Sequence, residues 1–495
     1  MRMNDFFVSL ISNPSVATII TMTILLINFF LAIGMIFWER KSAQSVWAWL
    51  LILFFIPIVG FILYLFLGRT IYNHKIFEIP EEDQIGLEYL VQEQLDEIRK
   101  NNFELDSDVA TKHTKLIHML LYNNQSFVTS NNHIDTFYRT PDLFKQMLED
   151  IKNAKDHIHF QYYIFRLDNL GKEIYNALLE KQREGVSVRI LYDDMGSRTL
   201  RLRKFKEIRS LGGHVEAFFP SFLSVINPRI NNRNHRKIVV IDGKIGYTGG
   251  SNVGDEYVGN SKKFGYWRDT HLRIKGNAVK SLQLRFMLDW NSQGSRNKMV
   301  HETRYFPEIE NVGNTTMQIA TSGPDEKWQQ IKFGYLKMIN SAKKDIYIQS
   351  PYFIPDQSIM EALKIAILSG VNVNIMIPSF PDHPFVYWGT YHNVGELSKM
   401  GGKIFIYQKG FLHQKTMMID NEVVSIGSTN MDNRSFALNF EVNAFIFDRK
   451  EAVKQREAFE KDAINSKLLT PEIYAERSAW IKLKEGIANL ISPIL

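Results

Sequence analysis

Cysteine is absent from the 495 residues of this chain. Its absence excludes disulfides, thiol nucleophiles and thiolate-held metals, so any covalent chemistry falls to other side chains. Charge of one sign is also in short supply. Lys plus Arg minus Asp plus Glu is 59 − 53 = +6, a modest excess that suits an anionic partner. The strongly basic groove expected of a nucleic-acid enzyme is missing, and no nucleic-acid partner is expected. Formal charge is missing altogether from two stretches, 16–38 and 46–67. Elsewhere, 45% hydrophobic and 23% charged residues are the proportions of a folded protein, and the length exceeds what one core normally organises.

Each uncharged stretch is longer than the roughly 20 apolar residues that cross a hydrocarbon core, which predicts a transmembrane hairpin over residues 1–69. Polar Thr21, Thr23 and Asn28 in the first stretch could be satisfied by a partner helix, and Pro57 and Gly60 in the second are tolerated in membrane helices. Trp38, Trp47 and Trp49 around Glu39-Arg40-Lys41 have the composition of a membrane–water boundary. A cleaved signal peptide fits poorly, because a second span follows at once. A hairpin would return residues beyond Arg69 to the side of Met1. Residues 70–130 read as a polar helical connector, and the acidic run at 80–101 reads as a solvated helix face without function.

From residue 131 strand-like and helix-like segments alternate, as in layered α/β domains. A helix starting at Thr140-Pro141-Asp142 precedes a strand at 157–165, a helix at 170–184 and a strand at 186–192. The order then returns: a helix ending near Ala342, a strand at 345–354, a helix at 356–369 and a strand at 371–377. Ile151-Lys152-Asn153-Ala154 matches Ile339-Asn340-Ser341-Ala342, and Gln161 matches Gln349. A unit of about 170 residues used twice is a domain duplication, too long for a solenoid repeat. The expected units are 131–298 and 299–470, packed about a pseudo-two-fold axis.

The chemistry lies deeper in each copy. His235-Arg236-Lys237 leads to Asp242 and Asn252, and His413-Gln414-Lys415 leads to Asp420 and Asn430. Lys, Asp and Asn stand at offsets 2, 7 and 17 from the histidine in both copies. Residues i and i+2 share one face of a strand, so each His and Lys project together. Lys237, Lys415, Asn252 and Asn430 can donate to the non-bridging oxygens of a phosphoryl group. The pairs Gly249-Gly250 and Gly427-Ser428 would let backbone approach it. One histidine can attack phosphorus while the other handles the leaving-group proton. Such a pair needs no metal, and no cofactor is expected. A nucleophilic histidine also needs its second nitrogen oriented by a carboxylate. Asp269 and Glu441, which lie 34 and 28 residues beyond their histidines, are the candidates. The set His235, Lys237, Asp242, His413, Lys415 and Asp420 is thus expected to build one site, with Asp242 and Asp420 tying strand to turn or to the partner half. His157 and His159 read as packing or surface residues.

The two HxKxxxxD motifs, each followed by a small-residue turn and Asn, resemble the phospholipase D superfamily. The wider pattern resembles its two-motif bacterial cardiolipin synthases. It includes NHRKIVVIDG at 234–243, GGSNVGDEYVG at 249–259, YWRDTH at 266–271, QSPYFIPD at 349–356 and SIGSTNMDNRSFALNFEVN at 425–443. The resemblance implies two phospholipase D-like α/β/α sandwich domains behind a membrane anchor. It also implies transfer of a phosphatidyl group between two phosphatidylglycerols, giving cardiolipin and glycerol through a phosphatidyl-histidine. Phospholipases D that use water or another alcohol share the motifs, so the acceptor stays open. His235 is expected to be the nucleophile, as the N-terminal histidine commonly is in that superfamily. Arg229, Arg233 and Arg236 beside it would attract anionic lipid. The aromatic runs 218–223 and 385–388 could line a lipid path. Residues 471–495, an apolar C-terminal helix, could dock on the body or on a membrane. Charge counts leave the orientation of the hairpin open, since Arg2, Arg69 and Lys75 compete with Arg40 and Lys41; the resemblance, with the first of those sets, implies a catalytic body at the cytoplasmic face of the cell membrane.

Overall fold

The computed structural model describes residues 14–37, 43–64, 68, 76–77, 81–100, 107–220, 231–294, 297–380, 382 and 384–491. Arg2, Trp38 to Lys41, Arg69, Lys75, Phe222, Leu223 and Arg229 lie outside the described residues.

One described helix, Pro14–Phe37, is long and apolar enough to cross a membrane. The second stretch, expected to be continuous, is divided. Pro57 has no N–H to offer the Leu53 carbonyl, so helix Ala43–Phe55 ends there. Ile56 leaves the helical region at φ −132° and ψ 62°, and Pro57–Leu63 begins again. Asn28 repairs the break, donating Nδ2 to Leu53 O at 3.3 Å and Pro57 O at 3.0 Å. Thr21 and Thr23 are satisfied locally. Their hydroxyls bond back to Ala17 and Ile19 within their own helix. Met35, Trp49, Leu53 and Tyr64 close a small core between the segments.

The rest of the chain is organised by a duplicated sheet. Its first half supplies β1 (Val128–Phe137), β2 (His157–Tyr162), β3 (Ser187–Asp193), β4 (His214–Phe218), β5 (Arg233–Asn234), β6 (Ile238–Ile241), β7 (Ile245–Gly249), β8 (Tyr266–Arg268) and β9 (His271–Lys275). The second supplies β10 (Thr315–Ser322), β11 (Asp345–Gln349), β12 (Phe353–Ile354), β13 (Asn372–Pro378), β14 (Lys403–Tyr407), β15 (Gly410–Leu412), β16 (Thr416–Ile419), β17 (Val423–Gly427), β18 (Met431–Asp432), β19 (Asn439–Phe447) and β20 (Ser466–Leu469). The halves meet where β1 pairs antiparallel with β10. Outward from that seam one half runs β1-β9-β7-β6-β2-β3-β4 and the other β10-β19-β17-β16-β11-β13-β14, with β20 on the far edge. Equivalent strands therefore hold equivalent places.

Boundaries moved for local reasons. The strand expected to 354 stops at Gln349, since Pro351 cannot donate to a ladder, and Phe353–Ile354 pairs with β18 instead. β1 begins at Val128, three residues inside the stretch read as connector. Asp168 and Asp356 cap the matching helices Asn169–Arg183 and Gln357–Leu368, accepting from Gly171 N and Ile359 N. The C-terminal stretch is two helices, Pro471–Ala475 and Ala479–Ile491. Phe218 and Phe219 are fully packed with Phe440 across the seam, so they are core and not a lipid path.

Candidate active site

The two smallest cross-half ladders position the site. β5 pairs in parallel with the start of β19, and β8 with β15. The His235 N–H donates to Phe440 O at 2.9 Å, and the His413 N–H to Arg268 O at 2.8 Å. Each histidine is thus seated against the segment that carries the other half's carboxylate. The side chains follow suit. His235 Nδ1 lies 3.0 Å from both Glu441 oxygens, and His413 Nδ1 lies 2.7 Å from Asp269 Oδ2. Sequence order had paired Asp269 with His235 and Glu441 with His413. The structure exchanges them, because the parallel ladders run between halves and not within them.

Alternation along the strand holds as expected. Lys237 Nζ donates to His235 O at 2.6 Å, and Lys415 Nζ to His413 O, with both ammonium groups buried. The intervening residues point into the opposite layer. Arg236 pairs with Asp289 at 2.6 Å, Gln414 donates to Asp462 at 3.1 Å, and the matched Gln161 and Gln349 reach those same two carboxylates. Arg236 is therefore spent in the core and cannot attract lipid. Arg233 lies 3.6 Å from Asp193.

Asp242 and Asp420 lie away from the cavity that the two histidines share. Each adopts positive φ, 54° and 51°, in the turn after its strand. Asp242 accepts from the backbone N–H groups of Lys155, Asp156 and His157 at 2.8 to 3.0 Å. Asp420 accepts from Lys343, Lys344 and Asp345 at 2.8 to 2.9 Å. They tie strand to turn within their own halves and lie outside the cavity that the histidines line. The small-residue turns also serve another end than phosphate approach. A Cβ on Gly250 would sit 2.0 Å from Asp269 Oδ1. Its counterpart Ser428 donates its hydroxyl to Glu441. These positions make room for, or hold, the orienting carboxylates.

His235, His413, Asn252 and Asn430 all line one cavity of about 440 Å³. Its walls differ, which sequence symmetry concealed. Tyr163 lies edge-on to His235 at 4.9 Å, with Arg233, Arg434 and Asn439 also lining that cavity. Trp267 faces His413 at 5.0 Å and packs with Phe264 and Phe411. Where the second half places Arg434, the first places Glu256, paired with Arg166 at 2.9 Å. Trp267 and Arg434 stand inside segments that carry the family resemblance, but it is proximity to the histidines in space that marks them, as it does Tyr163.

Burial sets the protonation states. It pushes both imidazoles down to about 4, with Glu441 opposing at His235, and with Lys415 adding to burial and Asp269 opposing at His413. Burial alone would push Asp269 up, but Lys415 and His413 hold its carboxyl below the usual range. Lys237 is pushed well down, and Lys415 to about 8, in each case chiefly by burial. The Lys415 ammonium is present below that value and lost as pH rises through it. The alkaline limb of kcat/KM is therefore expected near pH 8, in place of the 10.5 of an ordinary lysine. A flat profile to pH 10 in the purified enzyme would remove Lys415 from the charge-stabilising set.

A family model described as cardiolipin synthase, phospholipase D-like domain, matches residues 147–266 and again 335–463. A phospholipase D-nuclease N-terminal model matches 26–69. The double match places the chain in the phospholipase D-like class. Phosphatidylserine synthase of Haemophilus influenzae Rd KW20 shares the fold, with a TM-score of 0.59 over 77% of this chain and 100% of that one, at 14% identity. Cardiolipin synthase of Staphylococcus aureus (strain N315) is 57% identical over 470 residues, 95% of both chains. Cardiolipin synthase 2 of Staphylococcus epidermidis (strain ATCC 12228) is 55% identical over 480, covering 97% of this chain and 98% of its own. The chain belongs to the cardiolipin synthase family, and it is a phosphatidyltransferase.

Proposed function

We propose that the chain joins two phosphatidylglycerols into cardiolipin and glycerol at the cavity shared by His235 and His413. The observation that carries this is the crossed pair of imidazole–carboxylate contacts opening on one cavity. A neutral imidazole whose Nδ1–H is held by a carboxylate presents Nε2 as a lone-pair donor. His235 Nε2 attacks the phosphorus of the first lipid and the P–O bond to its headgroup breaks. His413 gives that oxygen a proton, and glycerol leaves. The terminal hydroxyl of the second lipid then returns a proton to His413 and attacks the phosphatidyl-histidine, which frees His235. One phosphodiester replaces another, so no nucleotide is consumed. Lys237, Lys415, Asn252 and Asn430 donate to the non-bridging oxygens as negative charge builds there. The bound phosphate also favours the cationic form of the histidine that holds the proton, against the burial penalty.

The chain divides, on this reading, into an anchor at 1–69, a connector at 70–130, catalytic domains at 131–298 and 299–470 about a pseudo-two-fold axis, and a C-terminal segment at 471–495. The antiparallel β1–β10 seam supports that axis, and Asn28 bonding at the Pro57 break supports a two-span anchor. The catalytic body faces the cytoplasm. Protease added to spheroplasts should spare residues beyond Arg69, and protease added to inverted vesicles should cut them; the reverse pattern puts the body outside.

Purified full-length chain given phosphatidylglycerol in chelator should yield cardiolipin and glycerol in equal amounts. Phosphatidic acid as the main product would make water the acceptor. Activity lost to chelator and restored by metal would overturn the lysine–asparagine account.

A further inference from the structure

The helix Ala479–Ile491 is turned the wrong way round for a soluble surface. Its inward face carries Glu485 and Ala488, 2% and 0% exposed, with Glu485 paired to Arg477. Its outward stripe is Trp480, Leu483, Ile487 and Leu490, at 63%, 52%, 46% and 72% exposure. These positions share one side of a helix, opposite the buried one. Glu485 being neutralised, the charges left on this helix are Lys482 and Lys484, and Lys484 lies over the rings of both Trp480 and Trp388. A helix with a large apolar stripe flanked by lysines and aromatic rings matches an anionic lipid interface, where apolar side chains insert and cations meet headgroups.

Position in the fold adds a second argument. The helix packs on Pro384–Lys399, which carries Val386 into the catalytic cavity and leaves Phe385 57% exposed beside it. The element that this helix packs on therefore also supplies part of the wall of the active-site cavity. A cavity of about 440 Å³ takes headgroups, whereas the acyl chains of two diacyl lipids must stay outside it.

We propose that Ala479–Ile491, together with Phe385, seats the catalytic body on the anionic lipid surface. It does so at a contact separate from the N-terminal anchor, so that lipid headgroups reach the cavity without leaving the bilayer. This rests on the lipid-substrate reading above, but its test does not depend on product formation.

The lack of cysteine makes the test direct. Leu483→Cys and Leu490→Cys, each labelled with an environment-sensitive dye on the full-length chain, are reconstituted in phosphatidylglycerol–phosphatidylcholine vesicles. Brominated acyl chains should cut the fluorescence at both positions by about twofold or more, and far less at Lys482→Cys on the polar flank. Equal weak quenching at all three positions overturns the proposal. Dye signals that depend on protein density and not on bromination also overturn it, and assign the stripe to a second copy of the chain. The quenching reads contact even in a chain that makes no cardiolipin, so the two readings fail separately.

Discussion

His235→Ala and His413→Ala should each lower cardiolipin formation by about 10⁴-fold or more, because each removes one of two proton-and-bond-handling groups that no neighbour can replace. Both side chains line the cavity, so the variants should stay folded and membrane-bound. Near-normal turnover in either would end the shared-site account. The pair also separates the roles. Labelled phosphatidylglycerol quenched in acid should leave its label on the peptide holding His235. Label found only with His413 would exchange nucleophile and acid/base while leaving the overall reaction intact.

Much of this site was legible in the sequence because its signal is arithmetic. Equal offsets from His235 and His413 within a duplicated unit survive any uncertainty in element boundaries. Strand alternation then told His and Lys from the residue between them, and Arg236 and Gln414 do turn the other way. What the sequence concealed is whatever depends on which strand lies beside which. The short ladders β5–β19 and β8–β15 have three residues or fewer on each strand, too short for any periodicity. Yet they decide which carboxylate meets which histidine. For the same reason the sequence did not show that the glycine at 250 makes room for Asp269. The asymmetry of the cavity walls was hidden by the opposite cause. Attention to what the halves share passes over Arg434 standing where Glu256 stands, and Trp267 where Asn439 stands.

The crossed carboxylates lead to the second large effect. Glu441→Gln should lower kcat by roughly 10² to 10⁴-fold, since an amide no longer fixes the His235 tautomer or balances its charge. Asp269→Asn should act similarly through His413. The informative readout is which histidine responds. Glu441 lies 206 residues from His235 in sequence and 28 from His413, yet the imidazole nitrogen signals that shift in Glu441→Gln should be those of His235. In Asp269→Asn they should be those of His413. Each carboxylate has donors besides its histidine, Ser428 and Asn439 at Glu441 and the Thr270 N–H at Asp269. Both substitutions should change KM little, because neither carboxylate lines the cavity. Shifts confined to the histidine of the same half would return the carboxylates to the pairing that sequence order suggests, and the β5–β19 and β8–β15 ladders would lose their part in assembling the site.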